Sequence, residues 1–193
     1  MYKYSIILLC FLLACDSFFP RDPEEPTSKD SNFSRPDTPN ILVNNLISSF
    51  VTKNTVNYLR CFQNDLNEDI FQFIATQDVS ALNPSFFQDW DLKKEELVLI
   101  NLFNSLNSGI SPIITLNNRK LTLNPKTAIF EADYYIKVQH NNPDDSEIEY
   151  EGKLIFQIQA TTEDYWYIST WQDVINEDSQ FPTWTKLKLN FGK

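Results

Sequence analysis

TAIFEADYYIKVQ (Thr127–Gln139) and EIEYEGKLIFQIQAT (Glu147–Thr161) alternate with a period of two. In the first, Ala128, Phe130, Ala132, Tyr134, Ile136 and Val138 fall on one face. Glu131, Asp133, Lys137 and Gln139 fall on the other. In the second, Ile148, Tyr150, Gly152, Leu154, Phe156, Ile158 and Ala160 oppose Glu149, Glu151, Lys153, Gln157 and Gln159. Alternation this long predicts an antiparallel sheet with one dry and one wet face. Asn141-Asn142-Pro143-Asp144-Asp145 reads as the turn between the two. Working outward, Tyr165–Val174 continues the sheet after a tight Thr-Glu-Asp turn. Pro112–Leu123 adds one or two short strands around Asn117-Asn118, and Trp184–Phe191 reads as a final edge strand.

The first half reads as helix. Thr38 is a good N-cap and Pro39 suits the first helical position, so a helix is expected to about Val51. Val43, Leu46, Ile47 and Phe50 form its buried stripe. A second helix starts after Asn54, with Tyr58, Leu59 and Phe62 inward. A short strand follows over Asp69–Thr76, and Phe86, Phe87 and Trp90 fall in a connecting stretch. A third helix is expected from Leu92 to Ser108 on the stripe Leu99, Leu102, Phe103 and Leu106, with Gly109 as its C′ residue.

The N-terminus reads as an address. Lys3 precedes a short apolar run over Ile6–Leu13, too short to span a bilayer, which needs about 20 residues. Leu12-Leu13-Ala14-Cys15 resembles the lipobox of bacterial lipoproteins. The resemblance implies a signal peptide over residues 1–14 and a diacylglyceryl group on Cys15. Residues 15–37 hold Pro20, Pro23, Pro26 and Pro36 among acidic side chains and read as a disordered tether of about 25 Å reach. Phe18, Phe19 and Phe33 stand out in it, as contacts for the lipid interface or the domain. The chain carries a formal charge of −10, and losing Lys3 makes it more negative. That balance opposes nucleic-acid binding and electrostatic adhesion to anionic lipid, so attachment must be covalent. With Cys15 lipidated, only Cys61 remains in the mature chain. No intramolecular disulfide can form, and Cys61 reads as a small buried hydrophobe.

Three helices followed by a meander of strands resembles the NTF2-like fold over residues 38–193. Three stretches carry the resemblance. Asp164-Tyr165-Trp166-Tyr167-Ile168-Ser169-Thr170-Trp171-Gln172-Asp173 looks like the last strand of NTF2-like lipoprotein domains. Tyr58-Leu59-Arg60-Cys61-Phe62 resembles the second-helix motif, and Trp184-Thr185-Lys186-Leu187-Lys188 a C-terminal W-x-x-L-K. The resemblance implies an α+β cone, with three N-terminal helices packed in a bent antiparallel sheet and a pocket at the cone mouth. It implies no activity, because folds of this kind host enzymes and non-enzymes alike.

Much chemistry is excluded. His140 is the one histidine, so no two-histidine metal site exists, and it reads as an exposed turn residue. The three glycines, Gly109, Gly152 and Gly192, make no phosphate loop. No metal or cofactor is expected. Asp173 shares strand parity with Tyr165, Tyr167, Ser169 and Trp171. It is the one candidate general base, against the plainer role of capping a turn. Tyr134, Tyr150, Phe156, Tyr167 and Trp171 are the candidate ligand-lining residues, against the plainer role of filling a core. The expected function is that of a non-catalytic module anchored to an envelope membrane through Cys15, binding a small apolar ligand or a protein partner. The alternatives are a pocket enzyme using Asp173 and a structural surface-interaction lipoprotein. The domain is expected to be a monomer or weak dimer. Burying Glu131, Asp133, Glu149 and Glu151 unpaired in a sheet-to-sheet contact would cost several kcal/mol.

Overall fold

A computed structural model describes residues 33–62, 71–142 and 147–193. The expected signal peptide, Cys15 and the tether as far as residue 32 lie outside them. Among the described residues, no helix is long and apolar enough to cross a membrane.

Helix α1 spans Pro39–Val51. Thr38 Oγ1 accepts from Ile41 N at 3.3 Å, with Pro39 in the first turn. Helix α2 spans Thr55–Arg60 under an Asn54 cap, Oδ1 to Asn57 N at 3.0 Å. Strand β1 is Gln72–Ile74. Two single-turn helices follow, α3 at Gln77–Ser80 and α4 at Pro84–Phe87. Helix α5, Leu92–Ser105, opens on Asp91, which accepts from Lys94 N at 2.8 Å.

That helix stops short of Ser108. Leu106 turns extended and bridges His140, while Asn141 N donates to Ser105 O. The orphan carbonyl at the helix end is thus met by the chain after the third strand, and Gly109 (φ 75°) serves a later turn instead.

Strands β2 (Ile113–Leu123), β3 (Thr127–Lys137), β4 (Glu149–Ala160) and β5 (Trp166–Val174) form the meander. The sheet order is β1-β5-β4-β3-β2. It is not wholly antiparallel as expected. β1 runs parallel to β5, with Phe73 opposite Trp171, a pairing open to strands so far apart in the chain. β2 is one strand rather than two, interrupted by a register shift between Asn117 and Lys120 with Asn118 at φ 49°. The irregularity and the cations Arg119 and Lys120 blunt this free edge against strand addition.

The largest departure is the last element. Trp184–Phe191 is a helix, α6, rather than an edge strand. Trp184, Thr185, Leu187, Lys188, Leu189 and Phe191 are all buried, so the segment has no wet face for a strand's alternation to serve.

Residues 33–37, read as the end of the tether, lie against the domain. Phe33 sits 4.1 Å beneath the Arg60 guanidinium. Ser34 and buried Asn45 exchange hydrogen bonds, and Pro36 O accepts from Trp166 N at 2.8 Å. The buried Asn45 amide would otherwise lack partners, which ties this stretch down.

Candidate functional site

The inward parity of β3 and β4 is as the alternation requires. Ala128, Phe130, Ala132, Tyr134, Ile136 and Val138 are buried, and so are Tyr150, Leu154, Phe156 and Ile158. Ile148, expected inward, precedes β4 and is exposed, and Ala160 at the strand's end is half-buried. Trp171 sits at the centre. Its ring meets Phe156, Phe73 and Trp184 edge-on at centroid distances of 5.4, 5.4 and 4.4 Å, and stacks on Phe62 at 6.4 Å. Its indole N–H has no hydrogen-bond partner among the described residues, which hold the ring by packing.

Of the five expected lining residues, Tyr134, Tyr150, Phe156 and Trp171 converge on this interior and are closely packed. Tyr167 does not join them. Gln157 pairs with Thr170 but Ile158 pairs with Ile168, so a bulge at Ser169 reverses the parity of the strand's first half. Ile168 enters the core instead, and Tyr167 donates to Gln159 Oε1 at 3.1 Å on the opposite face.

Asp173, beyond the bulge, keeps the inward parity of Trp171 and is buried. Its carboxylate turns to α6 rather than to the turn after it. Its Oδ2 accepts from both the backbone N and the Oγ1 of Thr185, each at 2.6 Å. Its Oδ1 accepts from Tyr134 Oη at 2.7 Å, and that hydroxyl accepts in turn from Trp184 N at 2.6 Å. The carboxylate and the phenol thus cap the first two amides of α6 from the sheet. Negative charge is favoured there by the helix dipole. Burial raises the Asp173 pKa, opposed by Thr185, Tyr134 and Lys188, and burial pushes Tyr134 well above its usual range.

Gly152 makes this arrangement possible. A Cβ there would lie 2.5 Å from Tyr134 Oη and 2.8 Å from Val174 O. Gly152→Ala is therefore expected to displace Tyr134 and destabilise the domain by about 1–3 kcal/mol, read by urea denaturation.

A second polar cluster, unseen in the sequence, lies further along α6. Glu95 accepts from Tyr58 Oη at 3.1 Å and Trp90 Nε1 at 2.9 Å, and pairs with the Lys188 ammonium. Lys188 and Glu95 are both fully buried. Lys188 Nζ lies 4.0 Å from the Trp171 centroid, 4.1 Å from Phe73 and 5.2 Å from Trp90. Burial lowers the lysine's pKa and Glu95 works against that shift. The sequence did carry one signal. Glu95 stands four residues before Leu99 and seven before Leu102, on the apolar stripe of α5.

His140 lies outside the cone. Its Nε2 is 2.7 Å from Glu147 O, and its ring meets Phe191 edge-on at 4.9 Å. Cys61 is buried, and burial pushes its thiol far up, so it behaves as a hydrophobe. Among the described residues, no group of acids, His or Cys could hold a metal ion. Two of the open depressions lined by described residues lie against the sheet. One of 380 Å³ runs beside Thr76, Gln172, Asp173 and Glu177. The other, of 420 Å³, lies on the outer sheet face by Arg119, Lys120, Asp133 and Lys153.

The same cone of helices and sheet recurs among solved structures. An NTF2-like superfamily protein from Salmonella enterica superposes with a TM-score of 0.51, at 9% identity over 72% of this chain and 89% of that one. The domain is NTF2-like in fold. A Kribbella flavida protein matches with a TM-score of 0.54, at 10% identity over 77% of this chain and 92% of its own. A scytalone dehydratase-like protein from Novosphingobium aromaticivorans matches at 0.51, with 5% identity over 74% and 85%. Identities this low convey the NTF2-like architecture alone. No family model and no curated protein matches the sequence.

Proposed function

We propose that the protein is anchored to an envelope membrane by lipid on Cys15 and that its NTF2-like domain acts without catalysis, by binding a protein partner through its outer surface. The observation that carries the second half is the occupant of the cone. Helix α6 places Trp184 against Trp171 and Tyr134 in the space a pocket would need. Tyr134 and Asp173, the polar pair best suited to orient a ligand or accept a proton, are committed to its first amides. An interior so used favours a surface role over a small apolar ligand or an Asp173-based enzyme. Net acidity favours a protein partner over nucleic acid.

Two experiments test this. Cys15→Ser is expected to move the protein from the membrane fraction to an unprocessed or released form; wild-type fractionation of that variant would overturn the anchor. Native mass spectrometry of the detergent-extracted protein is expected to show polypeptide and acyl mass only. A stoichiometric apolar molecule, released on denaturation, would restore the ligand-binding reading.

A further inference from the structure

The geometry points to an alkylammonium-binding site inside the cone, occupied in this structure by the chain's own Lys188. Three ring systems, Phe73, Trp90 and Trp171, surround the ammonium at 4.1, 5.2 and 4.0 Å from Nζ to ring centroid for Phe73, Trp90 and Trp171 respectively. Rings gathered around one cation are the arrangement that recognises ammonium ligands. One carboxylate, Glu95, closes the site: its Oε1 accepts from Tyr58, and its Oε2 accepts from both Trp90 and an N–H of the cation. Ring contacts alone would accept a quaternary ammonium as readily. The carboxylate adds a demand for an N–H donor, which an alkylammonium meets and a quaternary ammonium cannot. The walls come from β1, the segment after α4, α5 and β5, and only the occupant comes from α6. The receptor and its ligand are therefore separable in the chain. The site opens when the occupant's side chain is removed.

Lys188→Ala deletes three methylenes and the ammonium, a volume equal to n-propylammonium, which is the probe. In the full chain, n-propylammonium chloride is expected to raise the melting temperature of Lys188→Ala saturably, by about 5–10 °C at roughly 100 times Kd. n-Propanol and matched sodium chloride are expected not to do so, and n-propyltrimethylammonium is expected to act more weakly. Wild type and Lys188→Met, whose sites are filled, are expected to show no saturable shift. Adding Glu95→Gln to Lys188→Ala is expected to weaken the probe at least about tenfold, in keeping with loss of a charged hydrogen bond. If Lys188→Ala does not fold alone, probe-dependent recovery of its circular dichroism is the readout. The assignment is overturned by an equal response to propanol, by a saturable shift in wild type, by an unchanged affinity without Glu95, or by neither shift nor recovery.

Discussion

Lys188→Met is expected to cost about 3–5 kcal/mol at neutral pH, because it leaves the buried Glu95 carboxyl without its counter-ion. Methionine matches the lysine stem in length and polarisability, so the packing against Phe73 and Trp171 survives and the loss is electrostatic. Adding Glu95→Gln removes the stranded charge while keeping an acceptor for Tyr58 and Trp90. The double variant is expected to regain at least half of the loss. Urea denaturation of the two single variants and the double gives the coupling directly. Near-additive losses would show that the two residues do not act as a pair.

Asp173→Ala is expected to cost about 2–4 kcal/mol, because the N and Oγ1 of Thr185 and the hydroxyl of Tyr134 lose a charged acceptor in a site closed to water. The loss falls on the docking of α6. Hydrogen exchange of the Trp184 and Thr185 amides is expected to accelerate more than exchange in the centre of β3 and β4; uniform acceleration would contradict the capping role. The carboxyl also imposes a pH dependence. Its folded pKa stands above the ordinary 3.8, mainly through burial. Between those two values the native state holds more protons than the unfolded one, so this group's contribution falls as pH rises. The stability of wild type relative to Asp173→Asn is therefore expected to shrink as pH is raised through that window.

Most of the fold was legible where one face of an element meets water. α1 and α5 show apolar stripes at helical spacing, and Thr38, Asn54 and Asp91 all cap their helices through their side chains. β3 and β4 alternate for eleven or twelve residues, and each burial pattern follows the sequence pattern. The candidate site was legible only in part. Tyr134, Tyr150, Phe156 and Trp171 share the interior as their parity demands. Tyr167 does not, because one extra residue at Ser169 reverses the face and nothing in the local sequence announces it.

What the sequence determined by itself is the two-faced sheet, the capped helices and hence the NTF2-like order of elements, since each rests on a pattern of near neighbours. The tertiary structure alone decided what fills the cone. In Trp184–Phe191, Leu187, Leu189 and Phe191 alternate with Lys186, Lys188 and Asn190, which locally reads as a strand with a wet side. Its helical form depends on Tyr134 and Asp173 to meet its first amides, and on Glu95, 93 residues away in the chain, to neutralise Lys188. A charge can enter a core only where its partner is already placed. That placement is a property of the tertiary fold and not of neighbours in the chain.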